Sequence, residues 1–238
     1  MFDVNYDFFL IENNFKEIEE VKSEKIQGDT SSKLPLVSIV IPTYKRVSTL
    51  RETLDSAIRQ TGNHNYEILV VDNNPERGDE TELLMAEYVS VKNLLYFKNT
   101  ANIGMAGNWS RCSELAHGEW VVLIHDDDLL VNNYLDEIEP CLINCVDGLF
   151  VCPKTFIDGE PLPTLNNSER MEIMKITLMY QYLFPILCAS GNALRKSKIL
   201  EYGGYTSKTY APDFFFSKMV YYSNVYMTNE SLIYYRKG

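Results

Sequence analysis

The sequence predicts an α/β fold: a mostly parallel central sheet flanked by helices. Three observations carry that expectation. From residue 34 onward, strand-length apolar runs alternate with stretches of helical period. The first two runs are almost continuously apolar, as in strands covered on both faces. Polar, turn-forming residues follow each run, where open parallel sheets place their ligands.

The elements follow in order. Phe8, Ile11, Phe15, Ile18 and Val21 recur at spacings of three and four, which predicts an acidic amphipathic helix in an extension over 1–33. Gln27-Gly28-Asp29-Thr30-Ser31-Ser32 reads as its linker. Leu36 to Ile41 is the first strand, ended by Pro42. Val47, Leu50, Leu54 and Ile58 mark a helix, with Thr49 and Glu52 spaced as a capping box. Tyr66 to Asp72 is the second strand, and Asp79 with Glu82 caps a helix running to Tyr88. Leu94 to Phe97, a helix from Met105 to Ala116, and strand Trp120 to Ile124 come next. A helix at Tyr134 to Ile143 and a strand at Gly148 to Cys152 follow. Further on, helices are expected over Asn167–Phe184 and Ala211–Tyr222, and strands over 187–195, Val225–Met227 and Leu232–Tyr235. The expected division is 1–33, 34–130 and 131–238, the last two being halves of one domain.

The 238 residues suffice for one large core. Net charge is −11, from 22 Lys and Arg against 33 Asp and Glu, which disfavours nucleic acid as a partner. Residues 1–30 hold eight acids and three lysines, and an acidic polar face favours packing on the body or a partner over membrane insertion. The apolar runs fall far short of the roughly 18 residues that span a bilayer. No secretory leader is expected at the start of the chain. The five cysteines, Cys112, Cys141, Cys145, Cys152 and Cys188, form no CxxC pair, so reduced thiols in the cytoplasm are expected rather than a zinc site.

The polar strand ends supply the candidate chemistry. His125-Asp126-Asp127-Asp128 puts three like charges at the end of a buried strand, which needs a cation or solvent to compensate. Carboxylate oxygens suit Mg²⁺ or Mn²⁺, and a solvated acidic turn is the equal alternative. Asp72 fits recognition of a base or ribose, or an Asx turn with Asn73 and Asn74. Gly104 and Gly107 suit a close backbone approach or a tight turn. Arg46 is a candidate phosphate partner or a solvated charge at a helix start. Asp213, flanked by Phe214, Phe215 and Phe216, is a helix cap or a general base.

Four segments in this order, Val37–Arg46, Glu67–Asn73, Asn102–Asn108 and His125–Leu130, resemble family 2 inverting glycosyltransferases of the GT-A fold. The resemblance runs from about 36 to 236. It implies that Pro42, Thr43, Tyr44 and Arg46 line a nucleotide pocket and that Asp72 binds the base. It implies that Asn102 and Gly104 approach the nucleotide and that Asp126 lies near the ribose or donor sugar. Asp127 and Asp128 become the metal ligands for Mg²⁺ or Mn²⁺, although His125 stands at the first acidic position of the family pattern. Ser190-Gly191-Asn192-Ala193 resembles the donor–acceptor junction, and Tyr234-Tyr235-Arg236 the closing Tyr-Arg. Asp213 maps to the catalytic base, with Pro212 in place of the common Glu.

The implied activity is metal-dependent, inverting transfer from a UDP-sugar to a carbohydrate or lipid-linked saccharide, in cell-surface polysaccharide synthesis. The implied setting is the cytoplasm, at the inner face of the membrane. Peripheral membrane association and pairing of two copies through the N-terminal helix are the further partner expectations. Many relatives continue past this point, so a catalytic core cut from a longer protein is expected. The competing classes are a non-catalytic nucleotide-sugar-binding subunit and a Mg²⁺ phosphohydrolase using Asp126 and Asp128. Leu130 stands where the haloacid-dehalogenase-like pattern needs Thr or Val.

Overall fold

The computed structural model describes residues 7, 9–29, 33–145, 147–165, 171–183, 190–209 and 212–237. The parallel half follows the sequence closely. Strands β2 (Val37–Thr43) and β3 (Tyr66–Asp72) pair in parallel, with helix α1 (Val47–Ile58) between them in the chain. Helix α2 (Glu80–Ala86) leads to β4 (Leu94–Asn99), which lies parallel to β3. Helix α3 (Gly104–Leu115) leads to β5 (Trp120–Leu123), which lies parallel to β2 on its other side.

Strand alternation sends the side chains into two cores. Ile39, Ile41, Ile68 and Val70 pack with Leu50 and Leu54 of α1, Leu84 and Met85 of α2, and Leu135 and Ile138 of α4 (Tyr134–Leu142). Val40, Leu69 and Val71 pack on the other face with Ala106 and Trp109 of α3. The sheet is thereby covered on both sides, which accounts for the apolar runs of β2 and β3.

The second half joins the same sheet but is mixed in direction. Strand β9 (Asn192–Arg195) is antiparallel to both β5 and β7 (Gly148–Ile157). Strand β10 (Val225–Lys237) runs parallel to β7 and antiparallel to β6 (Leu129–Leu130) and β8 (Ile173–Lys175). Helices α5 (Leu178–Leu183), α6 (Lys196–Glu201) and α7 (Phe215–Tyr222) complete it. The two closing strands expected from sequence are one strand, with register shifts between Met227 and Ser231 and between Ser231 and Ile233. The helix expected over Asn167–Phe184 is replaced in its described part by β8 and α5, and 166–170 and 184 lie outside the described residues. Cys188 also lies outside them, and Cys112, Cys141, Cys145 and Cys152 are free thiols.

The N-terminal segment corrects the sequence reading. Its described residues form a single 3-10 turn (Asn14–Glu17) and strand β1 (Ser23–Gln27), antiparallel to β4 at the sheet edge. The helical spacing loses because tertiary partners take the backbone groups. Asn13 caps the turn through the Phe15 N–H, and the Asn14 N–H donates to the Gly203 carbonyl at 2.9 Å. The helix expected to pair two copies is therefore not formed by these residues.

A second correction concerns α1. Thr49 Oγ1 donates to the Arg46 carbonyl, the N-cap Arg46 gives no side-chain cap, and Glu52 turns to Arg236. No capping box forms.

Candidate active site

The carboxyl ends of β2, β3, β4 and β5 lie at one edge of the sheet because these strands are mutually parallel. A cavity of about 540 Å³ opens there. Eight of the expected residues line it: Pro42, Thr43, Tyr44, Arg46, Asn102, Gly104, Asp126 and Asp127. Asn73, Met105, Asn108, Trp109, His125 and Tyr235 line it as well. Of these, the sequence reading singles out Asn73 only as an Asx-turn partner, His125 as the departure at the first acidic position and Tyr235 as part of the closing Tyr-Arg.

Asp72 is a correction, because it does not face the cavity. It is fully buried, accepting from Lys98 Nζ at 2.7 Å, Tyr96 Oη at 3.0 Å and the Asn74 N–H at 2.9 Å. Burial pushes its carboxyl above the usual range, against the pull of Lys98. The next residue, Asn73, takes the cavity side instead, one step along the pleat.

Asn73 anchors a network of amides. Its Nδ2 donates to Asn102 Oδ1 at 2.8 Å and to the Gly104 carbonyl at 3.2 Å. Its Oδ1 accepts from Asn99 Nδ2 and the Ile103 N–H, each at 3.0 Å. Asn99 also donates to Asn108 Oδ1 at 2.9 Å. These bonds fix the loop that starts α3. Gly104 sits there at φ 73°, a left-handed backbone that lets the chain turn into the helix beside the cavity.

The acid tip is gripped from two sides. From α1, Thr53 Oγ1 donates to the Asp128 carbonyl at 2.8 Å, and Ser56 Oγ accepts from the Leu130 N–H at 3.1 Å. From β10, the Arg236 N–H donates to Asp128 Oδ1 at 2.9 Å, and Arg236 Nε to the Asp127 carbonyl at 2.8 Å. The Arg236 guanidinium stacks over Phe156 and pairs with Glu52 and Asp158. Arg236 thus holds one oxygen of Asp128 and the backbone of Asp127.

Each acid then has its own surroundings. Asp126 accepts from Thr43 Oγ1 at 2.8 Å, and burial pushes its carboxyl up against the Thr43 bond and the nearby Arg46 charge. Asp127 faces the cavity and pairs with Arg46 at 2.7 Å. Asp128 lies beneath the cavity wall, fully buried, and does not line it. Its Oδ2 and His125 Nε2 are buried with no hydrogen-bond partner among the described residues. The His125 ring stacks on Trp109, with centroids 5.1 Å apart. Burial works to lower the His125 pKa, but the carboxylates of Asp128, Asp213 and Asp127 outweigh it and hold it above its ordinary value.

Asp213 is half-buried in a 3-10 turn, Pro212–Phe214, that leads into α7. It is not among the residues lining the cavity, but the helix it leads into packs towards the acid tip. Phe215 lies 4.8 Å from Tyr205, Tyr205 5.4 Å from Trp109 and Trp109 5.1 Å from His125, ring centroid to centroid. Ser190 Oγ joins the same region, accepting from the His125 N–H at 3.1 Å. The residues that could hold a divalent cation are His125, Asp127 and Asp128, whose ligand atoms lie within 4.8 Å of one another. An orphaned carboxylate oxygen between charged neighbours fits such an ion.

Comparison with known proteins gives the family. The model for glycosyl transferase family 2 matches residues 38–203. An uncharacterized glycosyltransferase, RT0329, of Rickettsia typhi is 30% identical over 158 residues, covering 64% of this chain and 46% of that protein. The chain spans less than half the length of the curated relatives heading the comparison, at 36%, 36% and 46%. S. aureus TarS 1-349 in complex with UDP superposes with a TM-score of 0.69 at 19% identity, over 85% of this chain and 60% of that one. The mannosyltransferase PcManGT of Pyrobaculum calidifontis, in complex with GDP-Man and Mn²⁺, gives a TM-score of 0.59 at 18% identity, over 85% and 57%. The sheet and its helices are those of GT-A glycosyltransferases, and the chain belongs to glycosyltransferase family 2.

Proposed function

We propose that this chain transfers a sugar from a nucleoside-diphosphate sugar, a UDP-sugar, to an acceptor hydroxyl with inversion at the anomeric carbon. The observation that carries the reading is one cavity at the carboxyl edge of the sheet. There Thr43, Arg46, Asn102, Gly104 and Asp126–Asp127 converge from separate strand ends. Its lining combines two chemistries. Neutral amides and the Gly104 backbone suit a nucleoside, while Arg46 and the acids suit a diphosphate and its counter-ion. The TarS structures hold UDP or UDP-GlcNAc, and PcManGT holds GDP-Man with Mn²⁺, which agrees with a donor of this class.

Residues 34–130 supply the donor pocket in this reading, and 131–238 the base. Asp213 takes the proton of the acceptor hydroxyl as its oxygen attacks C1. The new C–O bond forms as the bond from C1 to the phosphate oxygen breaks on the opposite face. The electron pair leaves with the nucleoside diphosphate, and the proton rests on Asp213. Arg46, exposed at the cavity mouth, turns its guanidinium to the diphosphate. Asp127 and Asp128 would hold a divalent cation, Mg²⁺ or Mn²⁺. When bound, that ion neutralises charge developing on the leaving diphosphate. The acceptor is a carbohydrate or lipid-linked saccharide of cell-surface polysaccharide synthesis, met at the cytoplasmic face of the membrane. No described helix is long and apolar enough to cross a membrane.

The test is a mass-spectrometric transfer assay with pooled nucleotide sugars. Asp213→Asn is expected to lower turnover by about 10²–10⁴-fold while nucleotide affinity holds. Unchanged turnover removes Asp213 from the mechanism. Phosphate release without transfer, or binding without turnover in the wild-type chain, overturns the transferase reading.

A further inference from the structure

We infer that His125 is a metal ligand, and that His125, Asp127 and Asp128 form a mixed nitrogen–oxygen cradle selecting a transition ion of the Mn²⁺ class over Mg²⁺. The inference rests on the reading above that a cation occupies the acid tip.

Asp128 is fully buried, yet only its Oδ1 is satisfied, by the Arg236 N–H at 2.9 Å. The other oxygen has no hydrogen-bond partner among the described residues. Leaving one buried carboxylate oxygen without a hydrogen bond is costly, so it marks a place for a ligand. His125 Nδ1 lies 3.5 Å from that oxygen. This is too long for a good hydrogen bond. It suits two neighbouring ligands on one ion: at about 2.1 Å from each, they would subtend an angle of roughly 110°.

The ring is also held in place. Trp109 stacks on it with an interplanar angle of 27°, and Ser190 Oγ accepts from its backbone N–H. Asp127, the third member, already carries a cation, because Arg46 Nη2 sits 2.7 Å from its Oδ2. Arg46 is half exposed on the loop after β2 and can swing away when an ion and a diphosphate arrive.

The donor set decides the ion. Three oxygens would suit Mg²⁺, whereas an imidazole nitrogen favours first-row transition ions. The other two histidines are engaged elsewhere: His64 between Asp136 and Glu139, each 2.9 Å away, and His117 on Glu67 at 3.0 Å.

The experiment is pulsed EPR on the full chain with Mn²⁺ and UDP, prepared with natural-abundance and with ¹⁵N-histidine. A directly bound imidazole gives nitrogen modulation that the label changes, and this comparison requires no variant to fold. His125→Gln is expected to lose the modulation and to bind Mn²⁺ about tenfold more weakly or worse. His125→Asp is expected to bind Mn²⁺ without the modulation and to narrow the preference for Mn²⁺ over Mg²⁺ about tenfold. Mn²⁺ bound without nitrogen modulation, or modulation that persists in His125→Gln, overturns the inference and leaves the cation reading standing. No Mn²⁺ binding, with or without UDP, overturns both.

Discussion

At the scale of single residues, one step along a strand separates a structural carboxylate from a cavity-facing amide. Asp72 and Asn73 are neighbours at the end of β3, and the pleat points them apart. Asp72 joins Lys98 in a pair sealed from water, with side-chain exposures of 0% and 2%. Lys98 also reaches Asp79 at 3.0 Å. Such a pair gives little net stability while intact, but removing one partner strands a charge. Lys98→Met is therefore expected to cost about 3–5 kcal/mol in urea unfolding. Adding Asp72→Asn should recover part of that loss, since the neutral amide no longer needs the ammonium. A loss from Lys98→Met below about 1 kcal/mol would contradict the pairing. The sequence could show an acid at a strand end. It could not show which way the acid points, because that depends on the parity set by the partner strands.

At the scale of elements, what was legible is what short-range chemistry decides. Helix α2 is an example: Asp79 Oδ1 accepts from the Glu82 N–H at 2.9 Å, the cap its spacing implied. The same carboxylate reaches Lys98 and Asn74 through Oδ2. Asp79→Ala should thus cost more than the ~1 kcal/mol typical of a lost cap, and Asp79→Ser should restore the cap alone. Equal stabilities for the Ala and Ser variants in urea unfolding would show that the cap contributes nothing. The parallel strands were legible for a similar reason, since burial on both faces writes itself as continuous apolar runs. Strand β10 was not, because Thr228, Asn229 and Glu230 interrupt its apolar pattern where the register shifts. The acid tip was legible as a charge problem. Its grip by Arg236 depends on bringing residues more than a hundred positions apart into contact, and only a family resemblance drew attention to that arginine.

At the scale of the whole molecule, the N-terminal segment braces the site rather than standing apart from it. Arg111 of α3, nearly buried, donates to the carbonyls of Ile18 and Val21 at 2.8 and 2.7 Å and to Ser23 Oγ at 2.6 Å. The same helix carries Asn108 and Trp109 into the cavity wall. The segment's acids find cations on the body, as Glu12 does with Lys208 at 2.7 Å. Its tightest seat is Gly203, at φ 81°, whose carbonyl accepts from both the Asn14 N–H and Asn14 Nδ2. A Cβ there would stand 1.7 Å from the Glu12 carbonyl oxygen, which is backbone and cannot yield alone. Gly203→Ala must therefore displace the segment as well as bear the left-handed backbone. Gly78 supplies the control, having φ 70° and open space around it. Its substitution by Ala carries only the conformational cost of about 1–2 kcal/mol, or a Tm loss of roughly 2–8 °C for a chain of this size. Gly203→Ala is expected to lose more than that in calorimetry and to speed amide exchange over residues 12–27. Equal Tm losses at the two glycines, with exchange unchanged, would show that the segment is not seated on Gly203 and that α3 stands without its brace.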